Sequence, residues 1–222
     1  MFQQMLNASR AVLLRPSVAT FEEYERDDLG SATVYVIVGS IIAGILGAIA
    51  FLIQRPFIQQ QAQDLQRQFA ESGQTMPFDP NALTTGSLSG AIFGNLFGTL
   101  IGYFLFLGLI YLIAKVLYKS TGTFGQLAYD VSLYWAPLLV IRALISIISI
   151  GPLAILTAIV SLAVAIYNIY LTYLGVQAGT NLKPNQAIVT ILIPVVVGVL
   201  LCCLLFSVIA TLIGVASNTT SP

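Results

Sequence analysis

The chain has no histidine, only two cysteines, and charged residues make up just 8% of its 222 positions. The missing histidine removes the commonest general base, the commonest metal ligand and the usual switch near neutral pH. No serine-centred triad can be built without it, and the chain carries no Walker-type loop and no metal-ligand spacing. Cys202 and Cys203 are adjacent inside an apolar run. Neighbouring cysteines rarely bridge to each other, and two thiols make no zinc site. They read as small packed or lipid-facing residues, and they do not report a redox compartment. Nine basic residues cancel nine acidic ones, so no net field favours nucleic acid. The expectation is no enzyme, no catalytic residue, no metal and no cofactor. Soluble domains are about 25% charged, and this chain is far below that.

Apolar residues are present in abundance, at 57% of the chain. They gather in five runs, about 32–53, 87–114, 130–150, 153–176 and 187–215. About 20 apolar residues cross the ~30 Å hydrocarbon core of a bilayer. The predicted fold class is therefore an all-α membrane protein of five transmembrane helices, with amphipathic interfacial helices at the N-terminus and in the first loop. Residues 1–31 form an N-terminal segment, 32–215 the membrane domain, and 216–222 an uncharged tail. No continuous apolar stretch precedes Ala32, which argues against a cleaved signal peptide.

Arg10, Arg15, Arg26, Lys115, Lys119 and Lys183 fall on one side of such a five-span topology, and Arg55 and Arg67 on the other. The positive-inside rule then places the N-terminus in the cytoplasm and the C-terminus outside. Phe2, Met5, Leu6, Val12 and Leu13 lie at helical spacing before Pro16, predicting a short helix on the membrane surface. Glu22 to Asp28 is a mainly acidic patch that reads as a solvated face or a docking site for a basic partner. After span one, Ile58, Ala62, Leu65 and Phe69 predict a second interfacial helix starting near Pro56.

Glycine spacing is the strongest packing signal. Gly86, Gly90, Gly94, Gly98 and Gly102 recur every fourth residue in span two. In span one, Gly39, Ala43 and Gly47 recur alike, with Ser40, Gly44 and Ala48 beside them. Such rows let helix backbones approach closely in lipid. The expectation is span one against span two within one subunit, with self-association through the same groove as the alternative.

Arg142 is the one charge deep in a span. It lies ~18 Å along the helix from Asp130, too far to pair with it. A bare charge in lipid costs several kcal/mol, so Arg142 needs acceptors. Candidates are a lipid phosphate, the side chains of Asn95 and Asn168, and the carbonyls of Leu133 and Thr190, freed by Pro137 and Pro194. A structural arginine snorkelling to the far surface is the simpler reading. Asp130 reads as an interfacial helix N-terminal residue or a partner of Lys119. Tyr167, Tyr170 and Tyr173 read as an aromatic belt.

Pro16 followed by Phe21, the glycine-rich second span, Thr123-Phe124 with Tyr129 and Pro137, the stretch from Tyr167 to Val176, and Gln186-Ala187 resemble the Yip family, the Ypt/Rab-interacting-protein membrane domain. The similarity covers about residues 10–212. The resemblance implies a five-span bundle with a cytoplasmic N-terminus and no known enzyme activity. In eukaryotic relatives it implies vesicle traffic with Rab GTPase partners. The pre-membrane segment here, about 31 residues, is shorter than theirs. That departure argues against a Rab-type GTPase and points to a prokaryotic member in a cell (inner) membrane. Two functions remain open: a membrane-organising or adaptor protein whose partners are lipid, further copies or other membrane proteins, and a small transporter, channel or lipid-moving protein using Arg142.

Overall fold

The computed structural model describes residues 2–73, 88–151 and 153–219. Among them there is no strand; the chain is α1 (Phe2–Leu14), α2 (Val18–Tyr24), α3 (Leu29–Glu71), α4 (Leu88–Tyr118), α5 (Phe124–Ile147), α6 (Leu153–Thr180) and α7 (Pro184–Thr219). Among the described residues four helices are long and apolar enough to cross a membrane: α3, the Ile92–Tyr118 part of α4, α5 and α6. In α7 the stretch Pro184–Leu200 is a shorter apolar helix among the described residues.

Helix starts follow local chemistry. Ser17 caps α2 and Asp28 caps α3, each accepting from a backbone N–H three residues on. Thr123 opens α5 with a reciprocal capping box to Gln126, so α5 begins six residues before the predicted start at 130. Span one and the predicted first-loop helix are one continuous helix, α3. Pro56 lies inside it without ending it. The proline removes one backbone donor, and the Gln-, Ala- and Arg-rich stretch beyond it consists of good helix formers. At 43 residues α3 is ~64 Å long, about twice the hydrocarbon thickness.

The buried residues concentrate toward the end of the bundle where α1 and α2 dock. In α5 they run from Gly125 to Leu138, and in α6 nearly all lie between Leu171 and Thr180. Phe21 of α2 is completely buried, edge-on to Tyr134 at 6.2 Å and against Gly175. Tyr134 donates to Thr172 Oγ1 at 3.0 Å, and Tyr103 donates to the Ala128 carbonyl. At this end the loop before α5 crosses α6 without room for a side chain: a Cβ on Gly122 would collide with Gly179 O. Ser120 Oγ donates to Thr180 O at 2.8 Å beside it.

The N-terminal helix docks on the bundle. Met5, Ala8, Ser9 and Val12 face the bundle, Ser9 Oγ and Tyr35 Oη share a hydrogen bond of 2.8 Å, and Tyr167 donates to Leu13 O at 2.6 Å. Phe2 and Leu6 stay half exposed. The apolar stripe was legible, but its partner is largely protein. Tyr167 is likewise a tether for α1, whereas Tyr170 remains exposed.

The most extensive helix contact is α3 with α5, not α3 with α4. Gly39 sits where a Cβ would lie 2.8 Å from Ala136 Cβ and 3.1 Å from Ala136 Cα and O. The small-residue row of span one therefore serves α5 at Gly39 and α4 only farther along, where Gly44 faces Ile92 and Asn95.

Candidate functional site

Three helices bring small and polar residues together around Arg142. α3 supplies Ala43, Gly44, Gly47 and Ala48, α4 supplies Asn95, and α5 supplies Arg142. They line a cleft of about 390 Å³. Its floor is open because α3 presents only hydrogen or methyl side chains there; a Cβ at Gly47 would meet nothing within 4 Å. Asn95 Nδ2 reaches Ser40 O at 3.4 Å, a long bond that leaves amide donor capacity spare. Gln54 Nε2 donates to Ser146 O at 2.5 Å, tying α3 to α5 beyond the cleft.

Arg142 is exposed on this cleft, and no hydrogen bond or ion pair reaches it from the described residues. The carbonyls named as its acceptors do not serve it. Leu133 lies nine residues earlier, ~14 Å along α5, and Thr190 is on α7, which does not line the cleft. The structure joins Arg142 with Asn95 but not with Asn168. Asn168 lines a second, mostly apolar cleft of about 450 Å³ with Phe106, Trp135, Tyr173 and Ile191. There the buried Trp135 Nε1 has no partner among the described residues. Sequence reasoning missed this second cleft, because the apolar runs of α4, α6 and α7 do not announce which faces meet.

The glycine row of α4 divides. Gly86 lies outside the described residues, and for Gly90 only the backbone is described. At Gly94, Gly98 and Gly102 a Cβ would meet nothing within 4 Å among the described residues, which leave that part of the row unfilled. The row is flanked by Phe93, Phe97, Ile101 and Leu105, all strongly exposed.

Asp130 is enclosed by protein. It is completely buried, with neither carboxylate oxygen partnered among the described residues, and Gly179 lies against it where a Cβ would be 3.0 Å from Oδ2. Lys119 does not pair with it; Lys115 donates instead to Ser120 O at 2.8 Å and lies 5.4 Å from the Tyr111 ring centre. At the same end, burial and the neighbouring Glu22 and Asp27 hold the Glu25 carboxyl above the usual carboxylate range. Two hydrogen bonds from Ser31 hold Asp28 below it. No group of three or more His, Cys, Asp or Glu placed to hold a metal ion occurs among the described residues. Cys203 is a free, exposed thiol.

A family model described as the Yip1 domain matches residues 10–216. The chain belongs to the Yip1 domain family. That match takes in the end of α1 from Arg10, all of α2, the four candidate spans, nearly all of α7 and both clefts. Yip1 proteins are a membrane-protein family not known as enzymatic, and this chain is an integral multipass membrane protein. No curated protein and no solved structure matches the chain.

Proposed function

We propose that this Yip1 protein is a non-enzymatic, five-span membrane organiser or adaptor that docks other membrane helices, from a second copy or another membrane protein, on the open face of α4. In this reading α7 is the fifth span, the N-terminus is cytoplasmic and the C-terminus lies outside, in a cell (inner) membrane if the source is prokaryotic.

The observation that carries it is the unfilled row of Gly94, Gly98 and Gly102 between exposed Phe and Ile side chains. Helices in lipid associate through close backbone approach at small residues, since lipid chains are as apolar as leucine. A smooth strip that the described residues leave uncovered suits that contact. Pulldown of the full chain from mild detergent tests it. Wild type should recover its own copies or another membrane protein, and Gly98→Leu should reduce recovery about tenfold, the effect of losing ~1.4 kcal/mol of contact. Recovery of nothing, or equal recovery with Gly98→Leu, refutes it.

A second reading, a small transporter, channel or lipid-moving protein, is favoured by Arg142 standing in an open cleft beside small residues. Reconstituted liposomes carrying fluorescent lipids or ions would then show flux that Arg142→Leu abolishes. Equal flux in both proteins removes that reading.

A further inference from the structure

The Arg142 guanidinium, within the apolar helix α5, has no partner among the described residues. It carries five N–H donors, no acceptor, and does not lose its charge in proteins. Its Cα lies five residues from the end of α5, ~8 Å along the axis, so the side chain can reach the headgroup level on that side. The cation faces a cleft of about 390 Å³ and receives no partner from the described residues. Two features make the cleft more than an empty corner. Asn95 brings spare amide donor capacity from a different helix, and Gly44 and Gly47 keep the floor clear of side chains.

The chemistry this set recognises is an oxyanion large enough to take two guanidinium donors and an amide together, which describes a phosphate group. The neighbouring surfaces of α3 and α4 are apolar and exposed at Ile45, Ile49 and Phe93, as acyl chains require. We propose that the Arg142–Asn95 cleft is a binding site for one phospholipid, with its phosphate on the Arg142 guanidinium. The site gives the guanidinium the acceptor that no described residue supplies. It needs no partner helix on α4, so it stands or falls separately from the docking role.

Native mass spectrometry of the full chain in mild detergent tests this, with phosphatidylglycerol, diacylglycerol or inorganic phosphate added separately. Wild type should retain one phosphatidylglycerol per chain and no diacylglycerol, and millimolar inorganic phosphate should not displace the phospholipid. Arg142→Gln should weaken retention about tenfold or more, the loss expected for a charge-assisted bidentate pair. Gly47→Leu keeps the charge but fills the cleft, and should weaken retention similarly without a fall in melting temperature. Equal phospholipid retention in wild type and Arg142→Gln overturns the site. If Arg142→Gln does not fold, undiminished retention by Gly47→Leu overturns it alone. Phosphate adducts without phospholipid retention would assign the cleft to a soluble anion and overturn the lipid.

Discussion

Placing one methyl group at Gly39, and another at Gly98, should have opposite consequences although both glycines sit in four-residue rows of apolar helices. At Gly39 the new Cβ would lie 2.8 Å from Ala136 Cβ and 3.1 Å from two backbone atoms of the same residue. Backbone cannot rotate away, so α3 and α5 must move apart along their whole shared face. Overpacking of this kind costs about 1–3 kcal/mol. The higher helix propensity of alanine returns at most about 1 kcal/mol. Gly39→Ala should therefore lose about 1–2 kcal/mol net, a fall of roughly 2–8 °C in melting temperature for a chain of this size. At Gly98 the methyl meets nothing within 4 Å, and Gly98→Ala should match or slightly exceed wild type as a monomer. Thermal unfolding of both variants in one detergent, read by tryptophan fluorescence and loss of helix signal, makes the comparison. If Gly39→Ala melts with wild type, or Gly98→Ala falls as far as Gly39→Ala, the assignment of α3 to α5 and of an open face to α4 is wrong.

Three further outcomes are expected. Phe21→Ala removes a fully buried ring wedged against Tyr134 and Gly175, and should cost about 3–5 kcal/mol and release α2, seen as faster tryptic cleavage at Arg26. Glu25 has its folded-state pKa raised by burial and by Glu22 and Asp27. The native state thus holds its proton longer than the unfolded chain, and stability falls as pH rises from the ordinary carboxylate value through the raised one. Glu25→Gln should then raise the melting temperature at pH 7.5 and lose that advantage near pH 4; a variant no more stable than wild type at pH 7.5 contradicts the burial. Asp28 behaves oppositely, its capping contribution fading as pH falls through its lowered pKa, so Asp28→Asn should narrow its deficit against wild type in acid.

How much of this was legible depends on which interactions are local. The apolar runs and the stop at Pro16 follow from composition and breakers, and each apolar run falls largely within a helix. The early start of α5 was also local: Thr123 and Gln126 form a capping box whose spacing stands in the sequence. Facing directions were not legible. A helix apolar around its circumference has no stripe that points to a neighbour, so nothing in α6 or α5 alone says that Asn168 and Arg142 open into different clefts. Burial of Asp130 depends on Gly179, 49 positions away, coming against it. The α1 stripe could be read as apolar, but whether lipid or protein covers it is decided by contacts such as Ser9 with Tyr35 and Leu13 with Tyr167.

Sidedness decides whether the chain threads the membrane an odd or an even number of times. With Cys202 and Cys203 replaced by alanine, single cysteines at Gln3 and Ser217 can be labelled in intact cells by a membrane-impermeant maleimide. Five crossings predict that Ser217→Cys is labelled from outside while Gln3→Cys reacts only after the membrane is opened. Labelling of both from the same side would mean that α7 does not cross, and the five-helix membrane bundle would have to be abandoned.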